Sequence, residues 1–211
     1  MTDIDAVIFD FTGVLSTSPA AGMMRRADAF GIDLATFLPV VMGPLDVDGD
    51  HPYHDLERGL ITMDDFDAAL APTWRELGLT DFPTMPRGDE FLAMIEPVEE
   101  MISAALTIRA AGRRTAILSN NTREWGGWRA AWDADDLVDV VIDSCEVGLR
   151  KPNPAIFELT LERLGGPAPE RTLYLDDFPW NVTAGEALGL QTMHVTDPVV
   201  AAAELLDRLG L

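Results

Sequence analysis

The sequence predicts an α/β fold, with a parallel sheet covered by helices on both faces and a helical segment inserted after the first strand. Three observations lead there. From residue 97 to the carboxyl terminus, short apolar runs of strand length alternate with longer runs of helical periodicity, the rhythm of a parallel sheet buried on both sides. Residues 16–95 break that rhythm, with apolar residues at helical rather than strand spacing. Finally, four short polar pieces stand at or just beyond the ends of apolar runs: Asp10-Phe11-Thr12-Gly13-Val14, Ser119-Asn120-Asn121, Arg150-Lys151-Pro152 and Asp176-Asp177. Ligands of an open parallel sheet bind outside the carboxyl ends of its strands, so such pieces converge even when far apart in sequence. The expectation is an enzyme with a single site.

The elements follow in order. Residues 6–9 are an apolar strand leading into Asp10, and Gly13 permits the tight turn that follows. The insertion over 16–95 carries Met23, Met24, Ala27 and Phe30, then Phe66, Ala69 and Leu70, at helical spacing between Pro and Gly breaks. Placed after strand one, it is a candidate lid that excludes water and selects substrate. Met101, Ala104, Ala105 and Ile108 mark a helix stopped by Gly112, and residues 115–118 a strand running into Ser119. Residues 138–142 read as a strand, 154–164 as a helix closed by Gly165-Gly166, 173–175 as a strand, and 180–188 as a helix closed by Gly189. Residues 191–195 are a last strand. Asp197 and Pro198 supply an N-cap and N1 pair for a terminal helix carrying Leu205, Leu206 and Leu209.

Composition narrows the function. At 211 residues and 47% hydrophobic content the chain can build a substantial core. With 36 acidic and 15 basic residues the formal charge is −21. That balance repels nucleic-acid backbones and anionic membrane surfaces, and it attracts metal cations. Neither nucleic acid nor membrane is an expected partner, and the sequence sets no oligomeric state. A phosphate site in this field needs its own local positive charge. Cys145 is the single cysteine, which excludes an intrachain disulfide and fits a small buried side chain. The start Met-Thr-Asp-Ile-Asp lacks a basic stretch and apolar run, and no span is of membrane length, so a cytoplasmic location is expected.

The site residues are chosen for their chemistry. A carboxylate at Asp10 can attack phosphorus and form an acyl phosphate, although Asp at a strand end also serves as an ordinary turn residue. Asp176 and Asp177 repel each other unless a cation neutralises them. With Asp10 they make an all-oxygen set suited to Mg2+. Lys151, kept out of helical conformation by Pro152, can offset those carboxylates and hold a phosphate oxygen. Ser119 Oγ and the N–H groups of Asn120 and Asn121 are candidate phosphoryl donors. His51, His54 and His194 have no spacing tying them to Ser119; the first two are candidate lid contacts. Trp125, Trp128 and Trp132 recur as a helical stripe, read as core or a subunit contact.

In this order the four pieces resemble the haloacid dehalogenase-like hydrolase superfamily. Residues 145–157 and the Leu175-Asp176-Asp177 piece with Asn181-Val182 are similar to the branch containing the phosphatase domain of soluble epoxide hydrolases. Leu56-Glu57-Arg58-Gly59 looks like that branch's helical cap. The resemblance implies a Rossmann-like three-layer core from residues 1–15 and 96–211, with a cap over 16–95. It implies Mg2+ held by Asp10, the main chain of Thr12 and Asp177, with Asp176 nearby, and a phosphoryl group held by Ser119 and Lys151. Thr12 departs from the pattern, standing where phosphatases of this family usually carry a second aspartate that protonates the leaving group. A threonine hydroxyl titrates too high for that task near neutral pH.

The resulting expectation is a magnesium-dependent phosphatase or phosphotransferase acting on a small phosphorylated molecule through Asp10. Slow turnover follows from Thr12. The alternatives are dehalogenation of a small haloacid by the same nucleophile and a weakly catalytic binding or regulatory protein. The first leaves Asp176 and Asp177 without a compensating metal. The second is at odds with the presence of Asp10, Ser119, Lys151 and Asp177 together.

Overall fold

The computed structural model describes residues 3–81 and 83–211; Met1 and Thr2 of the amino-terminal stretch, and Phe82 of the insertion, lie outside the described residues. Strand β1 (Ala6–Phe9) is the centre of a five-stranded parallel sheet of order β3-β2-β1-β4-β5. Five helices follow it: α1 (Ala20–Ala29), α2 (Leu34–Met42), α3 (Pro52–Glu57), α4 (Met63–Glu76) and α5 (Asp89–Leu92). They form the small helical cap. Thr62 and Asp65 close a reciprocal capping box at the start of α4, which satisfies amides that the helix end leaves unpaired.

The α/β alternation then runs through α6 (Glu99–Ala110), β2 (Arg114–Ser119), α7 (Trp128–Ala131), α8 (Ala134–Leu137), β3 (Val140–Asp143) and α9 (Ser144–Val147). It ends with α10 (Pro154–Arg163), β4 (Thr172–Asp176), α11 (Pro179–Ala187), β5 (Gln191–His194) and α12 (Pro198–Leu209). Asp197 caps α12 by accepting from the amides of Val199 and Val200, as its pairing with Pro198 predicts.

Side-chain alternation along the strands divides the core in two. Val7, Phe9, Ile117, Leu173 and Leu175 face a cluster containing α6, α12 and the cap. Ala6, Ile8, Ala116, Leu118 and Tyr174 face α10 and the segment around α11. A strand of period two that is apolar at every position has both faces buried. This is the three-layer arrangement.

Two local readings change. The strand expected over 138–142 begins at Val140, because the Val138 N–H closes α8 on the Ala134 carbonyl and the Asp139 carboxylate accepts from the Thr115 amide at 2.8 Å. The tryptophan stripe is not one helix. Gly126 and Gly127 separate a short 3-10 turn at Arg123–Trp125 from α7, and Trp128 and Trp132 pack on Phe11 with ring centroids 4.1 and 5.0 Å away. Trp125 instead stacks on Phe91 at 4.0 Å.

Candidate active site

Parallel register brings the polar pieces together. Phe9 pairs with Ile117 on one side and Leu175 on the other, so Asp10 and Asp176 emerge level at the carboxyl edge of adjacent strands, with Ser119 one residue further along β2. After β1 the chain builds β2 and β3 on one side and then crosses to β4 and β5 on the other. The reversal opens a crevice beside β1, where parallel sheets bind their ligands.

Asp10 and Lys151 are 3% and 1% exposed. Lys151 Nζ lies 2.9 Å from Asp10 Oδ1 and 2.7 Å from Asp176 Oδ2. Asp10 Oδ1 also accepts from the Phe11 N–H. Burial opposes the Lys151 charge, but Asp10 and Asp176 outweigh it and hold the ammonium above its ordinary range. Burial pushes Asp10 well up; Lys151 offsets part of this, while Asp176 and Asp177 add to it.

The adjacent aspartates have different surroundings. The Asp176 carboxylate takes Lys151, the hydroxyl of Tyr174, the Asn181 amide at 3.1 Å and the Phe178 N–H at 2.8 Å. It is a fully engaged anchor. Asp177 Oδ1 is buried with no hydrogen-bond partner. Burial and the charge of Asp176, against Lys151, raise Asp177 to about 6. Oxygens of Asp10, Asp176 and Asp177 lie within 4.8 Å of one another. Three carboxylates facing one ammonium, with an orphaned oxygen among them, fit a hard divalent cation such as Mg2+. Gly13 makes room for this arrangement: its φ is +84°, and a Cβ there would overlap the Asp177 carboxylate.

Lys151 is aimed by its backbone. Asn120 Oδ1 accepts from the Lys151 N–H at 2.7 Å, and Asn120 Nδ2 donates to the Lys151 carbonyl at 3.0 Å. The Asn120 side chain is thus a clamp for the lysine loop. Ser119 is buried beside it and lines the site. The Asn121 N–H, expected to face a phosphoryl oxygen, instead donates to Ser144 Oγ at 2.8 Å. Its side-chain amide donates to Asp143. Asn121 braces the loop, and its backbone amide is already taken.

Arg150 and Glu57 were read only as members of their motifs, and the contact between them was not anticipated. Arg150 is 1% exposed; its Nε donates to Glu57 Oε2 at 2.7 Å and its Nη1 to the Val47 carbonyl at 2.8 Å. This buried pair ties α3 of the cap to the loop that carries Lys151. Burial raises Glu57, with Arg150 opposing, and burial also raises Tyr53 beside it. His54 accepts from the Gly49 N–H and His51 caps α3; neither lines the site. His194 Nε2 contacts the Asp177 carbonyl at 3.0 Å. Burial pushes the Cys145 thiol up, and it donates to Asp143, a structural role.

Asp10, Thr12, Ser119, Lys151 and Asp177 border a cavity of about 230 Å3. Its other walls are Met23 of α1, the Leu34, Leu38 and Met42 side of α2, Leu45, Phe91, Trp125, Phe178 and Trp180. Among the described residues, no helix is long and apolar enough to cross a membrane.

Comparison with known proteins agrees with this geometry. The family model for haloacid dehalogenase-like hydrolases matches residues 4–189. The chain is 32% identical over 97% of its length to mouse acyl-CoA dehydrogenase family member 10, and 26% identical over 93% to mouse bifunctional epoxide hydrolase 2. It spans 19% and 37% of those longer proteins. It is also 26% identical to the sesquiterpene phosphatase astK of Aspergillus oryzae, covering 99% of this chain and 98% of that one. A solved structure from Porphyromonas gingivalis, a predicted hydrolase of the same fold, superposes with a TM-score of 0.70 at 26% identity, covering 97% and 98% of the two chains. With an aspartate at the end of its first strand, a lysine loop and an acidic pair on a parallel sheet, the chain belongs to the haloacid dehalogenase-like hydrolase family and is an enzyme.

Proposed function

We propose that this hydrolase is a magnesium-dependent phosphatase or phosphotransferase acting on a small phosphate ester through an aspartyl-phosphate at Asp10. The observation that carries the reading is the charge balance at the sheet edge. Asp10, Asp176 and Asp177 face one Lys151, and Asp177 Oδ1 has no partner, an arrangement that a metal-independent attack on carbon leaves uncompensated. The similarity to a phosphatase along its whole length points the same way. In this reading residues 1–15 and 96–211 form the hydrolytic core and residues 16–95 the cap that closes it.

Asp10, the Thr12 carbonyl and Asp177 would hold Mg2+, which supplies neutralising charge to the carboxylates and to the phosphoryl oxygens. Both hydrogen-bonding contacts of Asp10 fall on Oδ1, so Oδ2 is the oxygen for attack. It forms a bond to phosphorus as the bond to the ester oxygen breaks. Ser119 Oγ and Lys151 Nζ hold phosphoryl oxygens, with Asn120 and Asp176 fixing the lysine. The leaving oxygen takes its proton from solvent, since Thr12 supplies none. Water then attacks the phosphorus of the acyl phosphate, releasing inorganic phosphate and restoring the Asp10 carboxylate; an acceptor alcohol in its place gives phosphotransfer.

The test is a panel of phosphate esters and haloacids, with and without Mg2+, on wild type and Asp10→Asn. Magnesium-dependent phosphate release lost in Asp10→Asn is expected. Metal-independent halide release would replace this reading with dehalogenation, and binding of Mg2+ without turnover of any ester would replace it with a binding role.

A further inference from the structure

The cavity above Asp10 has a polar floor and apolar walls. Leu34, Leu38, Met42, Leu45 and Trp180 line it above the phosphate chemistry. The cations at its edge are committed: Lys151 to Asp10 and Asp176, Arg150 to Glu57 and the Val47 carbonyl. Among the described residues, no cation lining it stands free of a carboxylate. A ligand's single phosphoryl group finds partners beside Ser119 and Lys151, whereas a second anion against the wall of Leu34, Leu38, Met42, Leu45 and Trp180 would meet apolar side chains.

A second pocket of about 350 Å3, largely open to solvent, lies next to the first, bordered by Leu38, Pro39, Gly43, Leu45, Asp46 and Trp180. Leu38, Leu45 and Trp180 line both. They are a shared wall, made by one face of the cap and one residue of the core. Trp180 is half-buried and its indole is held by stacking on Phe178, with centroids 4.7 Å apart and planes at 16°; such aromatic pairs give a wall a fixed shape.

We propose that Leu38, Leu45 and Trp180 are a specificity gate that sets the length of the apolar group on a singly anionic phosphate ester. This rests on the phosphate reading of Asp10. Short apolar groups fill the first cavity; longer ones must pass the shared wall to reach the second. Each methylene withdrawn from water along such a wall strengthens binding by about fourfold, so affinity should climb with chain length and level off at the gate.

The probes are n-alkylphosphonates from one to ten carbons, titrated by calorimetry into the full chain with saturating Mg2+. Wild-type affinity is expected to rise by about fourfold per methylene and then reach a plateau. In Trp180→Ala the rise should continue to longer chains, and Leu45→Ala, which removes the same wall from the cap side, should move the break the same way. An alkylphosphonate ending in a carboxylate should bind roughly tenfold or more weakly than its uncharged equivalent. An unmoved break in the folded variants would overturn the gate, as would equal affinity along the wild-type series or for the carboxylate-ended probe; if Trp180→Ala does not fold, Leu45→Ala decides. Methylphosphonate that binds, with no gain on lengthening, counts against the gate alone. Failure of methylphosphonate itself to bind removes the gate together with the phosphate reading.

Discussion

At the scale of single residues, Asp177 and Thr12 determine how the site should respond to pH and to leaving group. Asp177 titrates at about 6 in the folded chain against an ordinary 3.8. A carboxyl raised on folding adds stability that is complete below the ordinary value and lost as pH rises through the folded one. The magnesium-free protein should therefore lose stability between about pH 4 and pH 6. Asp177→Asn should abolish that loss, stabilising the metal-free protein at pH 7.5 on the order of 1–3 kcal/mol, part of it through relief of Asp10. The same variant should lose the rise in Tm that Mg2+ gives wild type, and wild-type Mg2+ affinity should fall below pH 6 as protons compete. Thermal melts across pH, with and without Mg2+, check all three; a variant that melts lower at pH 7.5 and keeps its response to Mg2+ would show Asp177 to be structural.

Thr12 gives the second prediction at this scale. General acid-base catalysis typically contributes a factor of ~10² to 10⁴, and its absence weighs most on poor leaving groups. Aryl and acyl phosphates should be hydrolysed far faster than alkyl phosphates, and Thr12→Asp should narrow the gap. A leaving-group series on both proteins measures it. Alkyl phosphates turned over as fast as aryl phosphates by wild type would mean that another group delivers the proton.

Between elements, the critical contact is the ion pair from the α9–α10 loop to α3. Arg150→Met leaves the Glu57 carboxylate buried and uncompensated, with an expected cost of about 3–5 kcal/mol. Adding Glu57→Gln should recover most of it. Urea denaturation of the two single variants and the double measures the coupling; a double variant no more stable than Arg150→Met would place the cost in the lost Val47 contact instead. This pair also shows why some of the molecule was not legible in the sequence. The convergence of Asp10, Lys151, Asp176 and Asp177 was legible, because each stands at the end of a strand or beside a proline and local pattern alone marks it. Arg150 and Glu57 stand in motifs that local pattern marks, but they are 93 residues apart, and nothing in either motif announces the pairing. Tyr174 read only as a strand residue, yet its hydroxyl reaches over to Asp176. Asn121 looked available as a donor until Ser144, on another element, claimed its amide. The sheet was legible for the opposite reason: its strands are apolar on both faces and their ends are marked by caps and glycines that act over a few residues. The tryptophan spacing misled because a period of helical length persisted across Gly126-Gly127, where the backbone does not.

The whole molecule carries a formal charge of −21 while asking an anion to enter a site that Mg2+ and Lys151 would leave close to neutral. Two fields of different range follow. Within the cavity, contacts of about 3 Å are little affected by salt, since buried pairs are poorly screened. Outside it, the summed negative surface repels a phosphate dianion at distances where screening is strong: the Debye length is about 30 Å at 0.01 M salt and about 8 Å at 0.15 M. If chemistry is slow, as Thr12 implies, KM approaches a dissociation constant, and that repulsion enters through affinity. With Mg2+ held saturating, raising NaCl from about 0.01 to 0.15 M should therefore increase kcat/KM for p-nitrophenyl phosphate by roughly two- to fivefold and leave kcat unchanged. Mg2+ affinity should move the other way, since the same field that repels substrate concentrates cations. Steady-state kinetics and metal titrations over the same salt range check both signs. A kcat/KM that falls with salt would mean that Arg150 and Lys151 project an attractive field through the cavity mouth strong enough to overcome the surface. The carboxylates paired with those two cations would then be screening them less than their 2.7–2.9 Å contacts imply.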